Sequence, residues 1–530
     1  MSPISQNVTQ PATGDLTPYL PSTHEKKDDD SDSRSASRIE YAIDGPPTVV
    51  DAATEKALMR KIDMRLIPMV MWMYLMSFMD RVSIGNARLY GMEEDLGLVG
   101  NQYQIGVSVL FITYCLFEAP SNMVLKQLRP KWYLAALTLA WGLVATFSAF
   151  TQNFAGLIAI RLLLGLFEAG LFPGLIVYLT IFYNKRHIAL RMAYLFATAA
   201  IAGAVGGLVS YGIGFMDNDP NPVNVNPGDP DYVTPPGTAG WRAWRWIFAI
   251  NGALTVVTAF AIPFVLADKP ENATFLTEQD RRNMVLLREA EVGQTKSGQE
   301  FAMKDAKEAF VDWKVYVMAA CQFCSNTTLY AFSVFLPTII NQTGSYSIAE
   351  VQCLTIPIYA LGAGLYIGCS FWSDKIQIRG PFIVAFTIGT ILGYVLLITY
   401  ANPAAALVGC FFVGGCIFLT CGMAMPWFTS NNPRFGKRTT ANGIQLTVGN
   451  AAGVLSPFLF TGSGPVYTEG YAVAIGLLGL SGSLFTGMHF YWRKRNANKR
   501  AGKEDWTAEG LSDDEVKELG DKNPNYFFTI

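Results

Sequence analysis

Apolar runs of about twenty residues recur along the whole chain, and no other feature restricts its folding so strongly. A run of that length crosses the roughly 30 Å hydrocarbon core of a bilayer as a helix. Lipid offers the backbone no hydrogen-bond partner, so each run must satisfy its own N–H and C=O groups, which a helix does within one segment. Twelve runs stand out, at 66–87, 104–125, 132–150, 154–178, 190–214, 243–266, 314–338, 351–372, 381–400, 404–426, 440–461 and 470–492. Only 15% of the 530 residues are charged, where a soluble protein carries about a quarter. The expected fold is an all-α polytopic membrane protein of twelve transmembrane helices, with the lipid bilayer as its solvent. A net charge of −2 leaves no basic field for nucleic acid.

The connections between the runs alternate in charge. Lys126, Arg129 and Lys131, then Lys185 and Arg186, Arg281, Arg282 and Arg288, Lys375 and Arg379, and Arg434, Lys437 and Arg438 fill one set. The other set (151–153, 217–240, 341–350, 401–403 and 462–469) is almost free of Lys and Arg. Short basic loops stay in the cytoplasm, which predicts both termini inside. Residues 1–61 begin polar (KKDDDSDSRSAS) without an apolar signal-peptide core and read as a disordered cytoplasmic tail. Residues 493–530 read as a second, short cytoplasmic tail. The central cytoplasmic loop 267–313 divides the rest into two six-helix bundles, 62–266 and 314–492. Within that loop Thr277-Glu-Gln-Asp280 resembles a capping box opening a short helix. Matched basic stretches follow the second and eighth runs, LKQLRPKW and DKIQIRGPF, with Lys126 and Lys375 at the same point of each half. A repeated half with its site at the interface is a common transporter plan. Asn341-Gln-Thr343 is a glycosylation acceptor in an expected outer loop, whereas Asn272-Ala-Thr274 falls in the cytoplasmic one.

The eight cysteines lie in or beside apolar runs and read as small packing residues. Cys321 and Cys324 have CxxC spacing, but no second pair follows at metal-ligand spacing, and the three histidines are scattered. No metal, cofactor or nucleophile–base pair is expected, and hence no enzyme.

Charge within the runs is concentrated in the first half, and the second half is nearly bare. No Asp, Glu, Lys or Arg occurs at 315–349, 351–373, 380–433 or 439–468, while Asp80, Arg81, Glu118, Arg161 and Glu168 all fall inside runs. A charge near the centre of a membrane helix costs about 2.5–3.5 kcal/mol, so such groups face cavities and mark transport paths, or else lock helices together as buried pairs. Glu118, nearer the cytoplasmic end, fits the locking role better. Neighbouring helical residues point about 100° apart, so Asp80 and Arg81 aim at different partners. Arg161 and Glu168 are seven residues apart and share a face. Gly165, Ala169, Gly170 and Gly174 permit close helix approach, and Pro173 predicts a kink. An arginine is a permanent cation that grips a carboxylate through two parallel hydrogen bonds. Beside a carboxyl that exchanges protons, it forms a minimal device for coupling an organic anion to protons.

The stretches DRVSIGNARLYGMEEDLGL, QYQIGVSVLFITYCLFEAPSN and RLLLGLFEAGLFPG resemble the anion:cation symporter family of the major facilitator superfamily, most closely its fungal allantoate permease-like branch. GWRAWRWIF, SDKIQIRG and ANGIQLTVGNAAGVLSP extend the resemblance over about 62–495. It implies two bundles working by alternating access. It places Asp80 and Glu168 in proton coupling and Arg81 in anion binding. Tyr114 matches the family's cavity tyrosine and Asn450 its eleventh-helix asparagine. Arg161 is a second cation candidate for substrate binding, or an anchor for its helix. Leu125 and Lys126 stand where the superfamily's first loop motif has its acid, so only the second copy, with Asp374, Lys375 and Arg379, is a candidate gating loop. Phe78, where some bacterial relatives have tyrosine, argues against sugar acids.

The reading that follows is proton-coupled uptake of a small organic anion, a vitamin or nitrogen-source carboxylate such as nicotinate, pantothenate or allantoate, by a monomer in the fungal plasma membrane. An exporter of a secondary metabolite with the same fold is the alternative, and a non-transporting sensor a third. Phe78, Tyr114, Tyr330 and Trp427 would suit a flat ring, or serve as packing.

Overall fold

The computed structural model describes residues 51–183, 185–217, 241–290, 302–344, 346–399, 402–461 and 467–530. Most of the tail expected over 1–61, of the outer loop 217–240 and of the middle of the central loop lies outside the described residues. The chain builds sixteen helices of use here. They are α1 (Ala52–Leu89), α2 (Gln102–Gln127), α3 (Pro130–Phe147), α4 (Phe154–Glu168), α5 (Leu171–Phe182), α6 (Lys185–Gly214), α7 (Ala243–Val265), α8 (Glu278–Ala290), α9 (Met303–Val311), α10 (Trp313–Thr343), α11 (Ile348–Ile376), α12 (Gly380–Thr399), α13 (Pro403–Ser430), α14 (Phe435–Leu455), α15 (Thr468–Arg500) and α16 (Asp513–Glu518). No strand occurs among the described residues. Eleven rods, with α4 and α5 counted as one, are long and apolar enough to cross a membrane. With α2 they match the twelve runs read from the sequence.

Local chemistry sets the ends of these rods. The Asn153 side chain accepts from the Gly156 N–H and caps α4, and Asn402 caps α13 through the Ala405 N–H, with Pro403 in the first helical position. Thr277 and Asp280 hydrogen-bond reciprocally at the start of α8, at 3.0 and 3.2 Å, as the capping pattern predicts. The fourth rod is interrupted at Ala169 and Gly170, between α4 and α5. Pro173, which has no N–H to offer the Ala169 carbonyl, accounts for the break. α10 continues through the acceptor triplet at Asn341 instead of ending in a loop, and Thr343 is buried there.

Within the first six rods α3 packs along α7, α2 along α4, and α1 against α6 and α7; within the last six, α10 packs along α14 and α12 against α13 and α15. The two sets meet where α6 packs on α11, α2 on α14 and α1 on α10. At the end away from the termini this seam is closed. A Cβ on Gly85 of α1 would run into the Val334 carbonyl of α10, so only glycine allows the approach. Tyr103 meets Phe335 edge-on at 5.9 Å, the Arg88 guanidinium lies 5.6 Å over Phe335, and the Ser108 hydroxyl donates to the Val454 carbonyl at 2.9 Å.

The segment 493–530, expected as a tail, is folded. α15 runs to Arg500, and the chain then turns back beneath α10 and α12–α15. Phe528 is buried beside Trp492. Asn496 exchanges two hydrogen bonds of 2.8 Å with the Phe528 backbone, and Asn431 holds Thr529 by bonds of 2.7 and 3.0 Å. Deeper in, Asp521 contacts Lys314 of α10 at 2.6 Å and Lys437 of α14 at 3.0 Å. Asp312 reaches the same lysines at 3.2 and 2.8 Å. Burial alone would raise the Asp521 carboxyl, but the two ammonium groups hold it well below the usual carboxylate range.

Candidate functional site

The charges of the first half converge halfway along the rods. Arg81 projects from α1 and its Nε lies 2.8 Å from Oε1 of Glu168, the last residue of α4. The Ser77 hydroxyl, one turn earlier on α1, also donates to that oxygen. The guanidinium stacks 4.7 Å over Tyr114 and 5.8 Å over Phe111, both on α2. One face of the cation is thus sheltered by rings and one edge is taken by a carboxylate. Glu168 is 1% exposed, so its negative charge is tolerable because the arginine sits beside it.

Asp80 points elsewhere, as the helical angle requires. It lies within the electrostatic reach of Glu168 and Arg161, with the Trp141 indole N–H directed at its carboxylate but no well-formed hydrogen bond to the buried Oδ2. Arg161 lies 5.7 Å over the Phe248 ring with its Nε unpartnered. Arg81 and Arg161 also share the wall of a closed void of about 20 Å³ near the sealed seam.

Facing Arg81 across the seam are neutral groups of the second half. Gln322 and Asn326 on α10 are joined at 2.8 Å, Gln445 on α14 donates to Gln322 at 3.1 Å, and Asn326 donates to the Gly449 carbonyl at 3.0 Å. The Tyr330 hydroxyl donates to Asn450 Oδ1 at 2.9 Å. Between the two sets lies a cavity of about 50 Å³ lined by, among others, Arg81, Tyr114, Asn326, Tyr330, Gln445 and Asn450. Phe78 also lines it. A fixed cation on one wall, amides on the other and aromatic faces between them form a setting for a small, planar anion.

The structure therefore brings Arg81, Tyr114 and Asn450 together around one cavity, with Glu168 paired to Arg81, and sets Asp80 and Arg161 outside its lining. Asp374, Lys375 and Arg379 lie apart, at the termini end: Arg379 pairs with Asp374 at 2.9 Å, and its backbone N–H donates to the Ile530 carbonyl at 2.7 Å. Trp427, considered with the path aromatics, is not at the cavity. Its indole N–H donates to the Thr529 carbonyl at 3.0 Å. Two features escaped the sequence reading. The amides Gln322, Asn326 and Gln445 carry no charge to draw attention, and in their run Gln322 and Asn326 stand among other uncharged polar residues, Ser325, Thr327 and Thr328. Glu118, weighed as a helix lock, meets Asn450 of α14 at 3.4 Å, a partner in the other half that its place in the sequence does not indicate.

Comparison with known proteins agrees with this architecture. Residues 70–457 match the family model described as Major Facilitator Superfamily. An uncharacterised transporter of Schizosaccharomyces pombe is 35% identical over 88% of this chain and 89% of its own length. The high-affinity nicotinic acid transporter of Saccharomyces cerevisiae is 27% identical over 95% of this chain and 90% of its own. Among solved structures, a D-xylose-proton symporter superposes with a TM-score of 0.58 at 12% identity, covering 80% of this chain and 97% of its own. An inward-facing bacterial homologue of the human lysosomal transporter Spinster gives 0.58 at 14%, covering 79% and 95%. At such identities the structures speak for the fold alone. The chain belongs to the major facilitator superfamily and is a multi-pass membrane transporter of that kind.

Proposed function

We propose that the protein takes up a small organic carboxylate together with protons, by alternating access between the halves 62–266 and 314–492. The observation that carries this reading is that Arg81, which lines the central cavity, is paired at 2.8 Å with the buried Glu168. With the site empty, Glu168 occupies the guanidinium edge that a substrate carboxylate would use. When Glu168 takes up a proton it no longer competes, and Arg81 grips the incoming carboxylate through its two-pronged edge. Substrate anion and proton then travel as a pair, and the mobile core carries no added charge through lipid. Asp80, with its unpartnered Oδ2 in reach of Arg161, serves as the second proton carrier. Arg161 holds this pair of acids in place from behind and adds to the attraction for an anion.

Both termini lie in the cytoplasm in this scheme, because the basic loops gather at their end of the rods. The sealed seam at Gly85, Tyr103 and Phe335 is then the outer gate, and the membrane is the plasma membrane. Asp374 and Arg379 brace the loop after α11 at the inner face. The nicotinic acid transporter among the relatives supports a pyridine carboxylate as the first substrate to try; Phe78, Tyr114 and Tyr330 offer faces for such a ring. The test uses purified protein in liposomes with labelled nicotinate, pantothenate and allantoate. An inward proton gradient should drive accumulation of at least one, and a protonophore should abolish it. Accumulation that ignores the proton gradient, or that runs only outward, would refute the reading.

A further inference from the structure

Glu118 has a part in none of the steps above, and its surroundings are unusual. It sits on α2 one turn beyond Tyr114, is 3% exposed, and has no ion-pair partner within 4.0 Å among the described residues. Its hydrogen-bond partners come from the other half of the molecule. Asn450 Nδ2 lies 3.4 Å from both Oε1 and Oε2, and Thr447 Oγ1 lies 3.4 Å from Oε2, both on α14. One residue from Tyr114, the Cys115 thiol reaches the Thr447 carbonyl at 3.7 Å. These bonds are long, and long bonds from neutral donors hold a buried carboxylate weakly. Arg81 is close enough to act on Glu118 electrostatically but does not touch it.

The two groups best suited to a ligand carboxylate are thus each occupied by one of the protein's own: Arg81 by Glu168, and Asn450 by Glu118. Only the second arrangement spans the seam. We propose that Glu118 is an internal competitor for the substrate's carboxylate, and that a ligand taking Asn450 displaces Glu118 and frees α2 from α14. Glu118 is then a positioning residue that ties the two halves together until the site fills. It makes the carrier selective for carboxylates, because a ligand without an acceptor for the Asn450 amide cannot take Glu118's place. The inference rests on the anion-uptake reading for the identity of the ligand, but the tie across the seam stands without any ligand.

The native Cys115 reports on that tie. In full-length protein in detergent, alkylation of Cys115 by N-ethylmaleimide is followed by peptide mass spectrometry. Glu118→Ala should speed it at least threefold with no ligand present. Glu118→Gln, whose amide oxygen still accepts from Asn450, should label like the wild type and so controls for folding. Nicotinate should speed labelling of the wild type, and its Kd should fall several-fold in Glu118→Ala because the competitor is gone. A direct ligand would show the opposite, a raised Kd. Unchanged Cys115 labelling in Glu118→Ala, or a raised Kd, overturns the proposal. Wild-type protein that fails to bind nicotinate counts against the substrate reading, while the ligand-free labelling still decides the role of Glu118.

Discussion

Removing the Asp521 carboxylate should be the most damaging single change outside the cavity. The side chain lies between two lysines whose ammonium groups are themselves buried, with Asp312 as the only other acid paired to both among the described residues. Two carboxylates balance these two ammonium groups, and a third, buried Lys499, donates to the Asp521 carbonyl at 3.0 Å. Asp521→Ala leaves a net positive charge in a site where every participant is at most 10% exposed. Breaking a buried pair in this way costs about 3–5 kcal/mol, and burial makes the loss insensitive to salt. Asp521→Asn keeps the volume and one acceptor, so it should cost less but still leave the charge. The sign with pH follows from the depressed carboxyl. Its contribution is complete above the unfolded value of about 3.9 and disappears only as pH falls through the lower folded value. From pH 5 to 6.5, below the range in which the neighbouring Lys499 amine, pushed down by burial to about 8, loses its proton, the deficit of the variant should therefore be constant. Thermal unfolding in detergent, followed by tryptophan fluorescence, measures this directly. Lys314 opens α10, which carries Gln322 and Asn326, and Lys437 lies in the first turn of α14, which carries Gln445 and Asn450. Substrate affinity should drop alongside stability. A melting temperature within error of the wild type for Asp521→Ala would show that the folded C-terminal segment does not clamp these helices.

Four further outcomes are expected. Arg81→Ala should abolish substrate binding, and Arg81→Lys should retain little because a lysine offers no two-pronged edge; a normal Kd in Arg81→Ala removes the anion site from α1. Glu168→Gln and Asp80→Asn should still support counterflow of labelled substrate in liposomes yet fail to accumulate it under a pH gradient, and accumulation by both would make these acids structural. Gly85→Val should force α1 away from the Val334 carbonyl and hold the sealed end open, seen as faster labelling of a cysteine placed at Phe335. Asn272 should carry no glycan when the protein is expressed in a eukaryotic host, and a glycan there would invert the assigned orientation.

The rods were legible because lipid removes choice: each apolar run must become a helix; outside them, the capping pattern at Thr277 and Asp280 marked the start of α8. The break after Glu168 was legible in Pro173. The cation was legible too, since Arg81 has no cheap reason to lie in such a run. The partners were not. That Arg81 pairs with Glu168, 87 residues away, depends on how α1 meets α4, which no local pattern encodes. The amides of α10 and α14 stayed hidden because an uncharged polar residue in a membrane helix is common and cheap. The packing of the C-terminal segment was hidden for a different reason: the countercharges that let Asp521 be buried come from Lys314 and Lys437, on helices distant in sequence.

The two halves thus divide the work unequally. The first holds the permanent cation and the acids, and its fourth rod is broken immediately beyond Glu168. The second holds neutral amides, and its termini end is pinned by Asp312, Asp521 and the backbone bonds to Thr529 and Ile530. A change of partner at Glu168 acts on a helix end, where α4 gives way to α5 across Ala169 and Gly170. A comparable change at Asn450 acts on a helix whose start is held by two ion pairs. In the proposed cycle, the element that moves when the proton arrives is therefore α5 of the first half, while α10 and α14 serve as the fixed wall against which the anion is read.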